Sequence, residues 1–169
     1  MEAIELIRLI EHGEDSRLQF KQDITSPESL AGELVAFSNS KGGRILVGVN
    51  DRGAVRGLSA NDIRRINQLL SNTATNLVRP SINPETENVA VGDRQIVVVT
   101  IYEGVSKPYA DNGGVFWVKC GSDKRRVTSR EEIQRMLQRA DIVHADEVSV
   151  AGTTVADVEL GHFRLFFEK

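Results

Sequence analysis

Three acidic residues have the types and positions that could hold a divalent metal ion. Glu14 and Asp15 precede one predicted strand, and Asp51 follows another. Carboxylates that converge at strand ends can bind Mg²⁺ or Mn²⁺, which activates water for phosphodiester cleavage. Local roles explain the same residues, because Asp51 lies in a turn sequence that favours Asp, and Glu14 and Asp15 follow a helix end. Spacing alone therefore favours local roles over metal chemistry.

Basic residues form two clusters, each with a net charge of +4, that could bind phosphate groups. Solvated helix and loop surface is the alternative explanation for both clusters. The first cluster sets six basic residues against Asp51 and Asp62: Lys41, Arg44, Arg52, Arg56, Arg64 and Arg65. The second sets seven against Asp123, Glu131 and Glu132: Lys119, Lys124, Arg125, Arg126, Arg130, Arg135 and Arg139.

Other residues with chemical potential are better explained by structure. The glycines of residues 42–57 flank a strand and a turn, and no phosphate-binding lysine motif opens a helix after them, so ATP is not expected. Cys120 lies in a predicted strand, where a buried packing role is expected. His12 occupies a favourable charge position near a helix C-terminus. Tyr109 could stack on a base, but a position in the core or at its rim is the more frequent role for such a residue.

The net charge of -3 over 169 residues conceals an uneven distribution. Residues 1–33 hold 8 acidic and 3 basic residues, and residues 140–169 hold 6 acidic and 2 basic residues. The middle of the chain, residues 34–139, holds 10 acidic and 16 basic residues. Hydrophobic residues make up 40% of the chain, which excludes disordered and fibrous classes. The apolar runs are too short to span a membrane, and one cysteine excludes an intrachain disulfide and a structural zinc site, so a cytoplasmic location is expected.

Hydrophobic periodicity predicts an α/β (α+β) fold with a mixed sheet of about five strands, with hairpins, covered by three to four helices. Ser26 before Pro27, Ser59, and Ser129 with Glu132 predict helix starts. The run 96–99 predicts a central strand that is buried on both sides. Helices are predicted to begin near residues 1, 27, 60 and 130; strands are predicted at 18–21, 44–50, 54–58, 89–91, 95–102 and 115–120; and 121–126 is predicted as a basic loop.

Two segments of the chain differ in character. Residues 1–140 form the predicted domain, and residues 141–169 form an acidic connector followed by the start of a helix with Phe163, Phe166 and Phe167 on one face. We expect this helix to begin a further domain of a longer protein. A helix that packs back on its own core is the alternative.

The sequence blocks, taken in order, resemble one known family. Gly13-Glu14-Asp15-Ser16 and Phe20-Lys21 lead to the specific block 36–43, which reads Ala-Phe-Ser-Asn-Ser-Lys-Gly-Gly, and then to a buried strand with Asp51, Gly53 and Gly57. Lys107-Pro108-Tyr109, Val118, Gly121-Ser122 and Arg126 follow. This pattern resembles the Schlafen AlbA-type DNA-binding domain, which is found at the front of bacterial and archaeal transcriptional regulators and is sometimes labelled divergent AAA. The resemblance covers residues 13–140.

The resemblance implies a mixed α/β domain that binds nucleic acid and is often followed by further domains. Some Schlafen proteins are ribonucleases that use three acids on a divalent metal, and the motif places Glu14 and Asp51 at two of those positions. The third position is Gln19 here, which removes one negative charge from the implied ligand set.

We therefore expect a nucleic-acid-binding module, the N-terminal domain of a larger transcriptional regulator, that contacts the DNA or RNA backbone with weak sequence specificity. The main alternative is a metal-dependent nuclease, in which Glu14 and Asp51 are catalytic residues and bind Mg²⁺ or Mn²⁺. A dimerisation or interaction domain, with a homodimer as partner, and an ATP-binding domain are further alternatives. The expected phosphate contacts are Lys21, Lys41, Arg44, Arg52, Arg56, Lys124, Arg125 and Arg126.

Overall fold

A computed structural model describes residues 1–140 and Ile142 of the chain. The predicted connector and the helix after it, within residues 141–169, lie outside the described residues apart from Ile142. The helices are α1 Ala3–His12, α2 Pro27–Asn39, α3 Ala60–Asn76 and α4 Arg130–Arg139. The strands are β1 Leu18–Lys21, β2 Gly43–Val47, β3 Val78–Arg79, β4 Glu85–Val91, β5 Arg94–Ile101, β6 Ala110–Asp111, β7 Trp117–Cys120 and β8 Asp123–Arg126. The α+β prediction is confirmed.

The main sheet has four strands in the order β1-β2-β5-β4. β1 runs parallel to β2, whereas β5 is antiparallel to both of its neighbours. The run Ile96 to Val99 in β5 is buried on both faces of the sheet, as the sequence predicts. The pairs β3-β6 and β7-β8 form separate two-stranded sheets.

Helices cover both faces of the main sheet. Leu6 of α1 packs in one hydrophobic cluster with Phe20, Leu46 and Val98. Phe37 of α2 belongs to a second cluster that includes α3 and the residues of β2 and β5 that point the other way. Alternate residues of each strand thus face opposite helices, which makes β2 and β5 central to both clusters.

The predicted helix starts are confirmed, with one difference in detail. The Ser26 hydroxyl accepts a hydrogen bond from the backbone N–H of Ser29, and Ser59 forms a complete capping box with Asp62. Ser129 caps α4 by accepting from Glu132 N, but the Glu132 carboxylate does not return to the cap. It accepts two hydrogen bonds from Arg125 instead, because a guanidinium offers that carboxylate a bidentate partner.

Two predicted segments differ from the structure. The second strand of the predicted 44–58 hairpin is reduced to two isolated bridges, one between Val55 and Val49 and one between Leu58 and Gln95 of β5. The predicted loop at 121–126 is mostly strand β8, paired with β7 across a turn at Gly121. Cys120, expected to be buried, is exposed, because it is the last residue of β7 beside that turn.

The glycine pair after α2 allows a close approach of three backbone segments. A Cβ on Gly42 would lie 2.6 Å from the carbonyl oxygen of Ile101, and one on Gly43 would lie 2.5 Å from the carbonyl oxygen of Arg17. Only glycine fits such contacts without a shift of the backbone. The pair therefore brings the starts of β1 and β2 together with the end of β5. Among the described residues, no helix has the length and hydrophobicity needed to span a membrane.

Candidate nucleic-acid interface

A basic cleft lies where β1 and β2 begin and β5 ends. Arg44 pairs in register with Leu18 on one side and with Thr100 on the other, so its side chain lies in the middle of this sheet end. The cleft has a volume of about 390 Å³. We call it the basic cleft, and its lining is Leu9, His12, Asp15, Arg17, Leu18, Lys41, Gly43, Arg44, Thr100, Ile101, Tyr102 and Glu103.

The basic cleft is lined by three basic side chains, Arg17, Lys41 and Arg44, and by the carboxylates of Asp15 and Glu103. The carboxylate of Glu103 accepts a hydrogen bond of 2.6 Å from Lys107, and this bond lowers the pKa of Glu103. Arg44 lies 4.0 Å from Glu5 of α1. Within the described part of the chain, neither Arg17 nor Lys41 has a carboxylate within ion-pair distance. The cleft thus holds two cations that are available to an anionic ligand.

The structure distributes the predicted phosphate contacts over three places. Lys41 and Arg44 lie in the basic cleft, where they meet Arg17, a residue that the sequence analysis did not select. Lys21 ends β1 at the opposite end of the sheet, and Arg52 and Arg56 lie in the exposed segment after β2. The remaining three predicted residues lie on the β7–β8 hairpin: Lys124, Arg125 and Arg126.

The hairpin residues contact groups of the protein itself. Lys124 Nζ lies 2.8 Å from Glu33 Oε1, and Arg125 donates two hydrogen bonds to the Glu132 carboxylate. Arg126 lies over the Trp117 ring at 5.0 Å from its centroid. A ligand phosphate at this hairpin would compete with these contacts, which makes the hairpin a less available cationic surface than the basic cleft.

The candidate metal ligands occupy different local settings. Glu14 Oε1 accepts a hydrogen bond of 2.7 Å from the backbone N–H of Phe20, at the outer edge of β1. Asp15 accepts a hydrogen bond from the backbone N–H of Arg17. Asp51 is exposed in the turn after β2. The described residues include no group of three His, Cys, Asp or Glu side chains arranged to hold a metal ion.

A buried polar cluster lies between β1, α2 and β7. The sequence draws attention to its Gln19 and to its Lys119, but nothing in the sequence places either of them beside Glu33. Gln19 Nε2 donates to Glu33 Oε1 at 3.3 Å, and Lys119 Nζ lies 3.4 Å from Gln19 Oε1. The ammonium also lies 3.9 Å from Glu33 Oε2, 4.6 Å from the centroid of the Phe37 ring, and donates to the carbonyl oxygen of Ser122. Burial lowers the pKa of Lys119, and the negative charges of Glu33, Asp123 and Glu14 oppose this shift.

This cluster does not fit a divalent metal. The third acid position implied by the resemblance holds a neutral amide, and the oxygen of that amide already faces an ammonium. A divalent cation at Gln19 would meet both the lost carboxylate charge and repulsion from Lys119. The ammonium groups of Lys119 and Lys124 are therefore the cations that neutralise Glu33.

Asn39 and Ser40, in the middle of the sequence block 36–43, connect three segments. The Asn39 side chain donates to the carbonyl oxygens of Tyr109 and Trp117 and accepts from the backbone N–H of Tyr109. Ser40 Oγ accepts from the backbone N–H of Lys119. Tyr109 itself is 5% exposed, so the core position is confirmed and its ring is not available to a base. This part of the block therefore positions the hairpin.

The family model described as Schlafen, AlbA_2 matches residues 14–128, which include β1, the block 36–43 and the β7–β8 hairpin. This chain belongs to the Schlafen AlbA_2 family. No curated protein matches the chain.

Two solved structures are similar to this Schlafen AlbA_2 chain. The DIP2311 protein from Corynebacterium diphtheriae is 19% identical, with a TM-score of 0.57, and the match covers 96% of this chain and 36% of that one. The N-terminal domain of a Nitrosomonas europaea protein described as related to the ATP-dependent DNA helicase RecG is 24% identical, with a TM-score of 0.48, over 77% of this chain and 96% of that one. This chain thus spans about a third of the length of the DIP2311 protein, and that likeness shows the fold.

Proposed function

We propose that this domain binds the phosphate backbone of nucleic acid through the basic cleft. The observation that supports the proposal best is the meeting of Arg17, Lys41 and Arg44 at one end of the sheet, in a domain of the Schlafen AlbA_2 family. Among the described residues, Arg17 and Lys41 have no carboxylate within ion-pair distance, which leaves both groups able to contact a phosphate.

The chemistry of the basic cleft favours affinity over sequence recognition. Guanidinium and ammonium groups neutralise phosphates and release counterions, which gives strongly salt-dependent binding. Base-edge readout needs side chains that reach into a groove, typically Asn, Gln or Arg on an exposed helix or ribbon. The basic cleft is concave and its polar lining consists mainly of charged groups. We therefore propose backbone binding with weak sequence specificity.

The same proposal places the domain in a larger protein. The DIP2311 protein, which has the same fold over 36% of its length, is nearly three times as long as the matched region. A backbone-binding domain at the front of a longer chain would deliver the rest of the protein to DNA or RNA. We propose a role of this kind in a transcriptional regulator.

Paired substitutions distinguish the three basic locations. Fluorescence anisotropy with short labelled DNA and RNA, at about 50 and about 200 mM salt, measures affinity and its salt slope. We expect R17A/K41A to weaken binding and to reduce the salt slope by roughly 1 to 2 units, since two phosphate contacts are lost. R52A/R56A and R125A/R126A should change both quantities less. Arg64→Ala is the matched control, because Arg64 lies on the exposed surface of α3.

Two results would overturn the proposal. The first is the absence of binding below about 100 μM at low salt, where non-specific phosphate binding is already measurable. The second is an R17A/K41A variant that binds as tightly as the unmodified chain and has the same salt slope. Shortened oligonucleotides that appear only with Mn²⁺ would instead support the nuclease alternative.

A further inference from the structure

The basic cleft contains an exposed aromatic side chain. Tyr102 follows the last residue of β5 and lines the cleft, and it is 59% exposed. The chain has one other tyrosine, Tyr109, which is buried. An exposed aromatic ring beside unpaired cations is the combination that single-stranded nucleic acid binders use, because bases stack on the ring while the cations follow the backbone.

The Tyr102 ring is held in place before any ligand arrives. Its hydroxyl donates a hydrogen bond of 2.6 Å to Glu85 Oε2 on β4. This hydrogen bond raises the pKa of Tyr102, so the phenol stays neutral over the physiological range. A fixed ring loses little conformational freedom when a base stacks on it.

The strand register brings the backbones of Tyr102, Lys41 and Arg17 to one end of the sheet. Tyr102 directly follows Ile101, which pairs in register with Gly43, and Lys41 lies in the turn two residues before Gly43. Arg17 directly precedes β1, on the other side of β2, and neighbouring strands lie about 4.8 Å apart, so these backbone segments span roughly 10 Å, which suits a base beside a phosphate. The Gly42 position would bring a Cβ to 3.0 Å from the backbone carbon of Tyr102, which reflects how closely the two segments approach.

The size of the cleft suits a short stretch of one strand. Its 390 Å³ lies at the lower end of pockets that hold small ligands, which suits one or two nucleotides. In a duplex the bases are stacked on one another, and unstacking one to reach Tyr102 costs free energy. Single strands present unstacked bases without this cost.

Resting on the proposed function, we infer that the basic cleft takes single-stranded nucleic acid, with a base stacked on Tyr102 and adjacent phosphates on Lys41 and Arg17. Tyr102 is thus the residue that makes the domain prefer single-stranded over double-stranded nucleic acid. The groups that the cleft would contact, a base that can stack and the phosphates beside it, are common to DNA and RNA.

The experiment compares one sequence as single-stranded DNA, single-stranded RNA and duplex DNA, by anisotropy at low salt. We expect Y102A to weaken single-strand binding by roughly 5- to 100-fold, the range of one lost base stack, and to leave duplex binding nearly unchanged. Y102F keeps the ring and loses only the hydrogen bond to Glu85, so it should retain most of the affinity. A 2-aminopurine base in the oligonucleotide should be quenched by the unmodified chain and by Y102F, but not by Y102A.

The controls separate this inference from the proposed function. Y109F, at the buried tyrosine, controls for loss of a tyrosine hydroxyl, and circular dichroism checks that each variant is folded. Equal binding of single strand and duplex, with Arg17 and Lys41 still required, would overturn the single-strand inference alone. Y102A binding single strands as tightly as Y102F would overturn it as well. If the unmodified chain binds neither single strands nor duplex at low salt, both proposals are overturned.

Discussion

The ammonium of Lys119 lies 3.4 Å from the side-chain oxygen of Gln19 and 3.9 Å from Glu33 Oε2, and all three side chains are buried. These residues come from β7, β1 and α2. Together with the 2.8 Å ion pair from Lys124 to Glu33, the Lys119–Glu33 ion pair and the Gln19 amide tie the hairpin to the main sheet and its covering helix. Glu33 Oε2 makes no hydrogen bond, and the nearest charge that compensates it is the Lys119 ammonium, while Lys124 pairs with Oε1 of the same carboxylate. The cluster is therefore sensitive to the loss of either charge.

We predict that Lys119→Met destabilises the domain by roughly 1 to 3 kcal/mol, because it removes one of two ammonium groups at a buried carboxylate that keeps Lys124 and the Gln19 amide as partners. The double variant K119M/E33Q should lose less than the sum of the two single losses, since it removes both charges. Urea unfolding followed by fluorescence of Trp117, the single tryptophan, measures each value. Lys41→Met is the control and should change stability by less than about 0.5 kcal/mol. Additive losses would contradict the coupling.

We predict that Gln19→Glu alone does not create a Mn²⁺ site, because the Lys119 ammonium remains beside the new carboxylate. The double variant Q19E/K119M removes that ammonium and places a carboxylate near Glu33, so about 1 mM Mn²⁺ should raise its melting temperature. Differential scanning fluorimetry with and without Mn²⁺ checks both variants against the unmodified chain. If Mn²⁺ raises the melting temperature of Q19E as much as that of the double variant, Lys119 does not exclude the metal.

We predict that Asn39→Ala destabilises the domain by roughly 2 to 4 kcal/mol, because its side chain makes three hydrogen bonds to backbone groups of Tyr109 and Trp117. Asn39→Asp should not restore stability, since its second oxygen would face two carbonyl oxygens in place of a donor. Asn72→Ala, on the exposed surface of α3, is the control. Urea unfolding measures all three variants, and a loss below about 0.5 kcal/mol for N39A would contradict the role of Asn39 as a connector.

We predict that Arg125→Met raises the pKa of Glu132 towards its ordinary value of 4.5, because the hydrogen bonds from Arg125 lower it in the folded chain. A carboxylate with a lowered pKa contributes stability above its unfolded pKa and loses that contribution as the pH falls through the folded pKa. The stability difference between the unmodified chain and R125M should therefore shrink as the pH falls below 4.5. NMR titration of the Glu132 carboxyl and urea unfolding at several pH values measure the two effects. Arg64→Met should leave the Glu132 titration unchanged.

Local sequence signals predicted most of the fold. Ser26 and Ser59 identified helix starts because a side-chain cap depends only on residues within one turn. The apolar run 96–99 identified the central strand because a strand buried on both faces needs such a run. Strand β8 was missed because Lys124 and Arg126 look like loop residues, although both pack their charged side chains against Trp117.

The candidate site depended on contacts that sequence order does not reveal. Arg17 joins Lys41 and Arg44 only because β1 pairs in parallel with β2, across the whole of α2. Lys119 meets Gln19 across 100 positions of sequence. Tyr102 was not selected, although an aromatic residue at the end of a strand in a segment near basic residues is a signal for a stacking surface.

The hydrogen bond from Phe20 N–H to Glu14 has a consequence for how molecules of this protein meet in concentrated solution. β1 is an outer strand of the main sheet, and an open strand edge is a template on which another chain can add a strand. The Glu14 carboxylate occupies one of the donors on that edge and places a negative charge beside it. Glu14 thus disfavours the pairing of a strand from another molecule with β1, and with it aggregation through this edge.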